Sequence, residues 1–308
     1  MVIAIAVALL LAGCGGSEPA ATDPFAGLEG ERSGARQLDV QVPSASIGAD
    51  VPVRILLPPG FDRQPERRWP VLCLLHGCCD SYQSWTRSTD VARLSARDDV
   101  LVAMPDGGAA GFCSNWRRGP QWERFHVTEL RELLQRRFRA GDRLAVAGLS
   151  MGGFGAMSYA ARHPDLIAAA ASFSGLLDPQ LDRAARGTVL GLVDSQGDPP
   201  LDLWGDPVAD ARTWRAHNPT ALAADLAGTA LFVSSGNGKA GRLDPRFTPP
   251  DDIEPGVLRQ TRSFVARLRR LGIGAQVDLY GDGTHSWPYW QRELHRSWPL
   301  LMRAIGAR

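Results

Sequence analysis

The pentapeptide Gly148-Leu149-Ser150-Met151-Gly152 sets a hydroxyl side chain between two glycines. Its flanks say more than its pattern. The apolar run 144–149 enters it as a buried strand, and Gly152-Gly153-Phe154-Gly155-Ala156 leaves it as a helix of small residues. A strand–turn–helix of this kind holds the serine in a strained, tight turn, where a Cβ on either flanking glycine would clash. The helix N-terminus behind it adds free N–H groups and a positive dipole end, which favour developing negative charge. The chemistry allowed is attack of a serine oxygen on a carbonyl carbon.

A serine hydroxyl surrenders its proton only to a base within hydrogen-bond reach, and that base needs an orienting acid. With the serine in such an elbow, the chain order is nucleophile, acid, histidine. Six histidines are present: His76, His126, His163, His217, His285 and His295. His163 closes the helix after the elbow, His217 lies in an irregular stretch, and His295 falls in a terminal helical segment. His285 stands in Gly281-Asp282-Gly283-Thr284-His285-Ser286-Trp287, directly after the last expected strand, so it is the candidate base. The acid belongs in the loop after strand 229–234, where Asp244, Asp251, Asp252 and Glu254 all satisfy the order. Order alone does not choose among them. A tetrahedral intermediate also needs two N–H donors. Met151 supplies one, and Cys78, in Leu74-Leu75-His76-Gly77-Cys78, supplies the other; Gly77 permits close backbone approach and His76 has a positional role.

The elements that must carry these groups are short apolar runs alternating with helical patterns, the mark of a mostly parallel sheet covered by helices. Strands are expected at 51–57, 71–75, 100–104, 144–149, 168–173, 229–234 and 275–280. One helical face is Leu130, Leu133, Leu134 and Phe138; another runs from Val257 to Leu271 and stops at Gly272. The fold class is therefore α/β, an α/β-hydrolase fold with a central sheet of about eight strands. The domain is expected over residues 36–308, with an insertion around 175–228 whose Gly, Pro and Asp punctuation reads as a cap beside the site.

The first twelve residues are apolar but too short to span a bilayer, and they end at Leu11-Ala12-Gly13-Cys14. This resembles a lipoprotein-type signal peptide, residues 1–14, with Cys14 as the lipid-attachment site. Residues 15–35 read as a disordered spacer. The chain is then exported, either anchored in the cell membrane through Cys14 on the outer face or secreted. In that compartment disulfides are permitted. Cys73 sits in an apolar run and reads as a buried thiol, whereas Cys113 paired with one of the adjacent Cys78 and Cys79, with Cys79–Cys113 the candidate, would tie two loops together near the site. A net charge of +1, with arginines scattered among acids, gives no stripe for nucleic acid. No cysteine spacing suits a metal, and no cofactor is implied. The protein is expected to be a monomer acting on a small-molecule or lipid ester.

Further motifs carry a resemblance. They are Ser174-Gly175-Leu176-Leu177-Asp178-Pro179, Leu203-Trp204-Gly205, Trp214-Arg215-Ala216-His217-Asn218-Pro219, Ser235-Gly236-Asn237-Gly238 and Gly283-Thr284-His285-Ser286-Trp287-Pro288-Tyr289-Trp290. With the elbow, they make the chain similar to the esterase family that includes the antigen-85 mycolyltransferases, over most of its length after residue 36. The resemblance implies that the acid is Glu254, since the family uses a glutamate at a helix start downstream of the Gly-Asn-Gly turn. It also implies an esterase or acyltransferase working through an acyl-enzyme, with trehalose-type mycolyl or diacylglycerol transfer, or a non-catalytic surface-binding role, as alternatives. The family's mycolyltransferases carry an Arg-containing acidic loop for trehalose where this chain has Cys78-Cys79-Asp80-Ser81-Tyr82-Gln83-Ser84-Trp85. Simple ester hydrolysis, or transfer to another acceptor, therefore stands beside mycolyl transfer.

Overall fold

The computed structural model describes residues 28–307 of the 308. Cys14, the leader and most of the expected spacer lie outside the described residues. Nine strands form one sheet: β1 (Gly30–Arg32), β2 (Gln37–Ser44), β3 (Ala49–Leu56), β4 (Trp69–Leu75), β5 (Leu101–Pro105), β6 (Ala140–Leu149), β7 (Ile167–Phe173), β8 (Ala230–Ser235) and β9 (Gln276–Leu279). Their spatial order is β1-β2-β3-β5-β4-β6-β7-β8-β9. β1, β2, β3 and β5 pair antiparallel; from β5 to β9 every pairing is parallel. This is the α/β-hydrolase fold.

Two strands lie beyond the expected set. β2 buries Leu38, Val40, Val42 and Ser44 on one face and pairs Val40 with Val53. Residues 30–32, assigned above to the spacer, pair as β1 along the outer edge of β2, so the ordered domain begins earlier than residue 36. A three-residue edge strand with every residue exposed carries no hydrophobic alternation by which to recognise it.

The central strands are buried on both faces, and their small residues make that feasible. In β6 and β7, Val146 and Ala170 face the elbow helix Met151–Arg162, while Ala145, Ala147, Ala169 and Ala171 face the C-terminal helix Trp287–Ile305. This period of two assigns alternate residues to opposite layers. The helix Glu254–Arg270 buries the stripe Val257, Leu258, Thr261, Phe264, Val265 and Leu268, and the chain turns at Gly272 with φ +69°.

The insertion is more regular than its punctuation suggests. It holds helices Arg183–Asp194, Pro200–Trp204 and Ala211–His217. Trp204 packs at 5.4 Å from the Phe154 ring, 5.7 Å from Phe112 and 5.1 Å from Trp214, so the insertion seats an aromatic cluster on the first turn of the elbow helix. No helix among the described residues is long and apolar enough to cross a membrane.

Candidate active site

Ser150 sits at the end of β6 with φ 51° and ψ −120°, a backbone conformation that costs a non-glycine residue roughly 1–3 kcal/mol. Its N–H donates to the Phe173 carbonyl at 2.9 Å, and its own carbonyl accepts from Phe154 N–H at 3.0 Å. A Cβ on Gly152 would lie 2.3 Å from the Leu75 carbonyl, and one on Gly148 2.2 Å from the Gly152 carbonyl. Only glycine lets the elbow close against β4.

His285 and Glu254 arrive from the far end of the sheet. His285 Nδ1 lies 2.6 Å from Glu254 Oε2. The Glu254 carboxylate is completely buried, and its Oε1 accepts three hydrogen bonds, from Ser174 Oγ (2.8 Å), Ser235 Oγ (2.9 Å) and Gly236 N–H (2.7 Å). A buried carboxylate is tolerated only when so satisfied. The other acids that fit the chain order have different places. Asp251 accepts from the backbone N–H groups of Ile253 and Glu254 through Oδ1 and from His285 N–H through Oδ2, so it fastens the starts of both loops together. Asp244 binds Gly241 N–H, Thr284 Oγ1 and Tyr289 OH; burial pushes its carboxyl upward, but these three donors outweigh it and hold it below the usual range. Asp252 is exposed. The clamping by Asp251, Ser174 and Ser235 escapes sequence reading, although Ser174 and Ser235 lie inside motifs quoted above.

The loop after β4 borders the elbow. A Cβ on Gly77 would meet Leu149 Cδ1 at 2.6 Å and Ser150 Cβ at 3.4 Å. His76 is buried, with Nδ1 2.7 Å from the Gly77 carbonyl and Nε2 accepting Gly107 N–H at 2.9 Å. A carbonyl only accepts and an amide only donates, so the proton is on Nδ1. Because C=O and N–H point oppositely across a trans peptide, holding the Gly77 carbonyl aims the Cys78 N–H away from His76. Gly77, Cys78, Ser150, His285, Trp287 and Trp290 line one cavity of about 320 Å³. Asp80, at its rim, pairs with Arg87 at 2.6 Å, so an arginine does accompany this loop, supplied from the helix Ser84–Ser88.

The Cys79–Cys113 disulfide is not formed: Cys73, Cys78, Cys79 and Cys113 are all free thiols. Cys113 is turned into the core beside Leu75, Ala156 and Tyr159, while Cys79 is exposed and takes a hydrogen bond from Gln196 Nε2 at 3.2 Å. The two side chains face opposite environments.

None of the remaining histidines lines the cavity at Ser150. His163 meets Glu123 at 2.8 Å and His295 meets Asp90 at 2.7 Å. His126 lies between Tyr159 OH and the Asp106 carbonyl, and His217 stacks on Trp204 at 5.2 Å. Burial pushes both His126 and His217 down to about 4. An unfolded histidine titrates near 6.5, so between those values the unfolded chain binds more protons and stability falls as pH falls. Going from pH 7 to pH 5 is expected to cost roughly 2 kcal/mol per histidine. Denaturant unfolding at both pH values checks this: on going from pH 7 to pH 5, His217→Gln should lose about 2 kcal/mol less than wild type.

The Esterase family model matches residues 44–301. The chain belongs to the Esterase family. It is 32% identical to the diacylglycerol acyltransferase/mycolyltransferase Ag85A of Mycobacterium leprae, over all of this chain and 93% of that one. It is 30% identical to Ag85B of Mycolicibacterium smegmatis, over 99% and 96%. The crystal structure of Mycobacterium tuberculosis MPT51 (FbpC1) superposes with a TM-score of 0.74 at 25% identity, covering 88% of this chain and all of that one. As an Esterase family member with these relatives, the protein is an ester hydrolase or acyltransferase.

Proposed function

We propose that Ser150, His285 and Glu254 work as nucleophile, general base and orienting acid in a two-step acyl transfer. The observation that carries the reading is the 2.6 Å His285–Glu254 contact, made by an imidazole that opens on the same cavity as Ser150. Ser150 Oγ attacks an ester carbonyl as His285 takes its proton, and Glu254 stabilises the imidazolium. The N–H groups of Met151 and Cys78 receive the oxyanion. The alcohol leaves with the proton, and water or a hydroxyl acceptor repeats the sequence on the acyl-enzyme. The substrate is an acyl lipid or a small carboxylic ester. The Asp80–Arg87 pair at the rim and the names of the relatives favour a hydroxylated acceptor alongside water.

A serine-directed phosphonate is expected to label Ser150 and stop hydrolysis of p-nitrophenyl esters. A well-folded protein that neither reacts nor hydrolyses would point instead to a surface-binding protein that kept the fold. The oxyanion geometry is tested separately. His76→Ala frees the Gly77 carbonyl and should lower kcat about 10- to 100-fold while KM stays nearly constant, since the donor matters most in the transition state. We read the chain as an exported monomer, held on the outer face through lipid on Cys14 or secreted. Metabolic labelling with radioactive palmitate, lost in Cys14→Ser, would support the anchor.

A further inference from the structure

Cys78 and Cys79 are consecutive, and both line the cavity over Ser150. In an extended chain, neighbouring side chains point to opposite sides. Here Cys79 adopts a left-handed φ of 65°, its N–H is held by the Ala109 carbonyl at 2.7 Å, and the alternation is broken. Both residues therefore border the same space above Ser150. Cys79 is exposed and Cys78 half-buried, with no disulfide on either. Burial pushes the Cys78 thiol up, so it keeps its proton while Cys79 meets solvent.

We propose that Cys78 and Cys79 form a dithiol site for a soft trivalent thiophile of the arsenic(III) class, and that occupying it shuts the ester site. A monosubstituted arsenoxide condenses with the pair. Two As–S bonds form, two S–H bonds and the As=O bond break, and the oxygen departs as water with both thiol protons. Arsenic stays trivalent, so no oxidant or reductant is needed. Cys79, the accessible thiol, is captured first and Cys78 closes the ring. Closure draws the two sulfur atoms onto one arsenic, fills part of the 320 Å³ cavity and displaces the residue whose N–H faces the developing oxyanion. The shut-off, but not the capture, rests on the catalytic reading given above.

Phenylarsine oxide at one equivalent is the probe. Wild-type protein is expected to lose p-nitrophenyl acetate turnover by about a hundredfold or more, the loss that follows when an oxyanion donor is misplaced. Intact mass should show one phenylarsenic group per chain. 2,3-Dimercaptopropanol should restore turnover, and an equal thiol concentration of glutathione should not, because a monothiol cannot match a chelate. Cys79→Ser should keep its activity in the reagent and carry no stable adduct. Undiminished wild-type turnover, or equal inactivation of Cys79→Ser, would overturn the proposal; the second result would show that the vicinal pair is not the reagent's site. Turnover before the reagent, abolished by Ser150→Ala, separates failure of this site from failure of the catalytic assignment.

Discussion

Replacing Ser150 with alanine should lower ester turnover by about a million-fold, the loss that follows removal of the nucleophile of a serine triad. The fold should not suffer. The elbow is held by backbone bonds, Ser150 N–H to Phe173 and Phe154 N–H to the Ser150 carbonyl, and alanine keeps both. Alanine also has the same Cβ, so the strain at φ 51° is carried over unchanged. Steady-state kinetics on p-nitrophenyl esters should therefore collapse while the thermal midpoint stays within a degree or two of wild type. A variant retaining a thousandth of the wild-type kcat would place the nucleophile elsewhere.

Glu254→Gln should cost about 10⁴ in kcat, and the hydrogen bonds around the carboxylate say why. Oε1 accepts from three donors, Ser174 Oγ, Ser235 Oγ and Gly236 N–H. A glutamine must put its carbonyl oxygen there, because an amide NH₂ would confront three donors. Its NH₂ then faces His285 Nδ1 and can only donate. The imidazole is forced to carry its proton on Nε2, where it cannot accept the Ser150 proton. KM should change little and the loss should persist across pH, since the defect is a wrong tautomer. If kcat falls less than tenfold, Glu254 is not the orienting acid.

The elbow is legible in the sequence because one strand, two glycines and one helix are contiguous there. His285 is legible because it follows the last strand. Glu254 is not, since four acids share its loop and what separates them is which one is buried against Ser174, some eighty residues away. Asp251 is hidden for the same reason: an exposed-looking aspartate in an acidic loop turns out to hold His285 and Glu254 by their backbones. The free Cys79 and Cys113 show that nearness to a site says nothing of which way a side chain points; Phe112 and Cys113 both have positive φ, and Cys113 lies against Gly155. β2 alternates cleanly but is interrupted by polar residues, and its burial on one face becomes visible only through its pairing with β3.

β9 is four residues long, forms the sheet edge, and buries none of its side chains. The loop bearing His285 follows directly from it, whereas Ser150 ends β6 in the middle of the sheet. Edge elements with few buried contacts open locally at free energies below that of global unfolding. The proposed base and nucleophile therefore belong to regions of unequal endurance. On warming or in mild denaturant, the imidazole would swing away while the central strands still hold their amide protons against exchange. Inactivation would then run ahead of unfolding, and the enzyme would regain activity quickly on return, because only its edge had come undone.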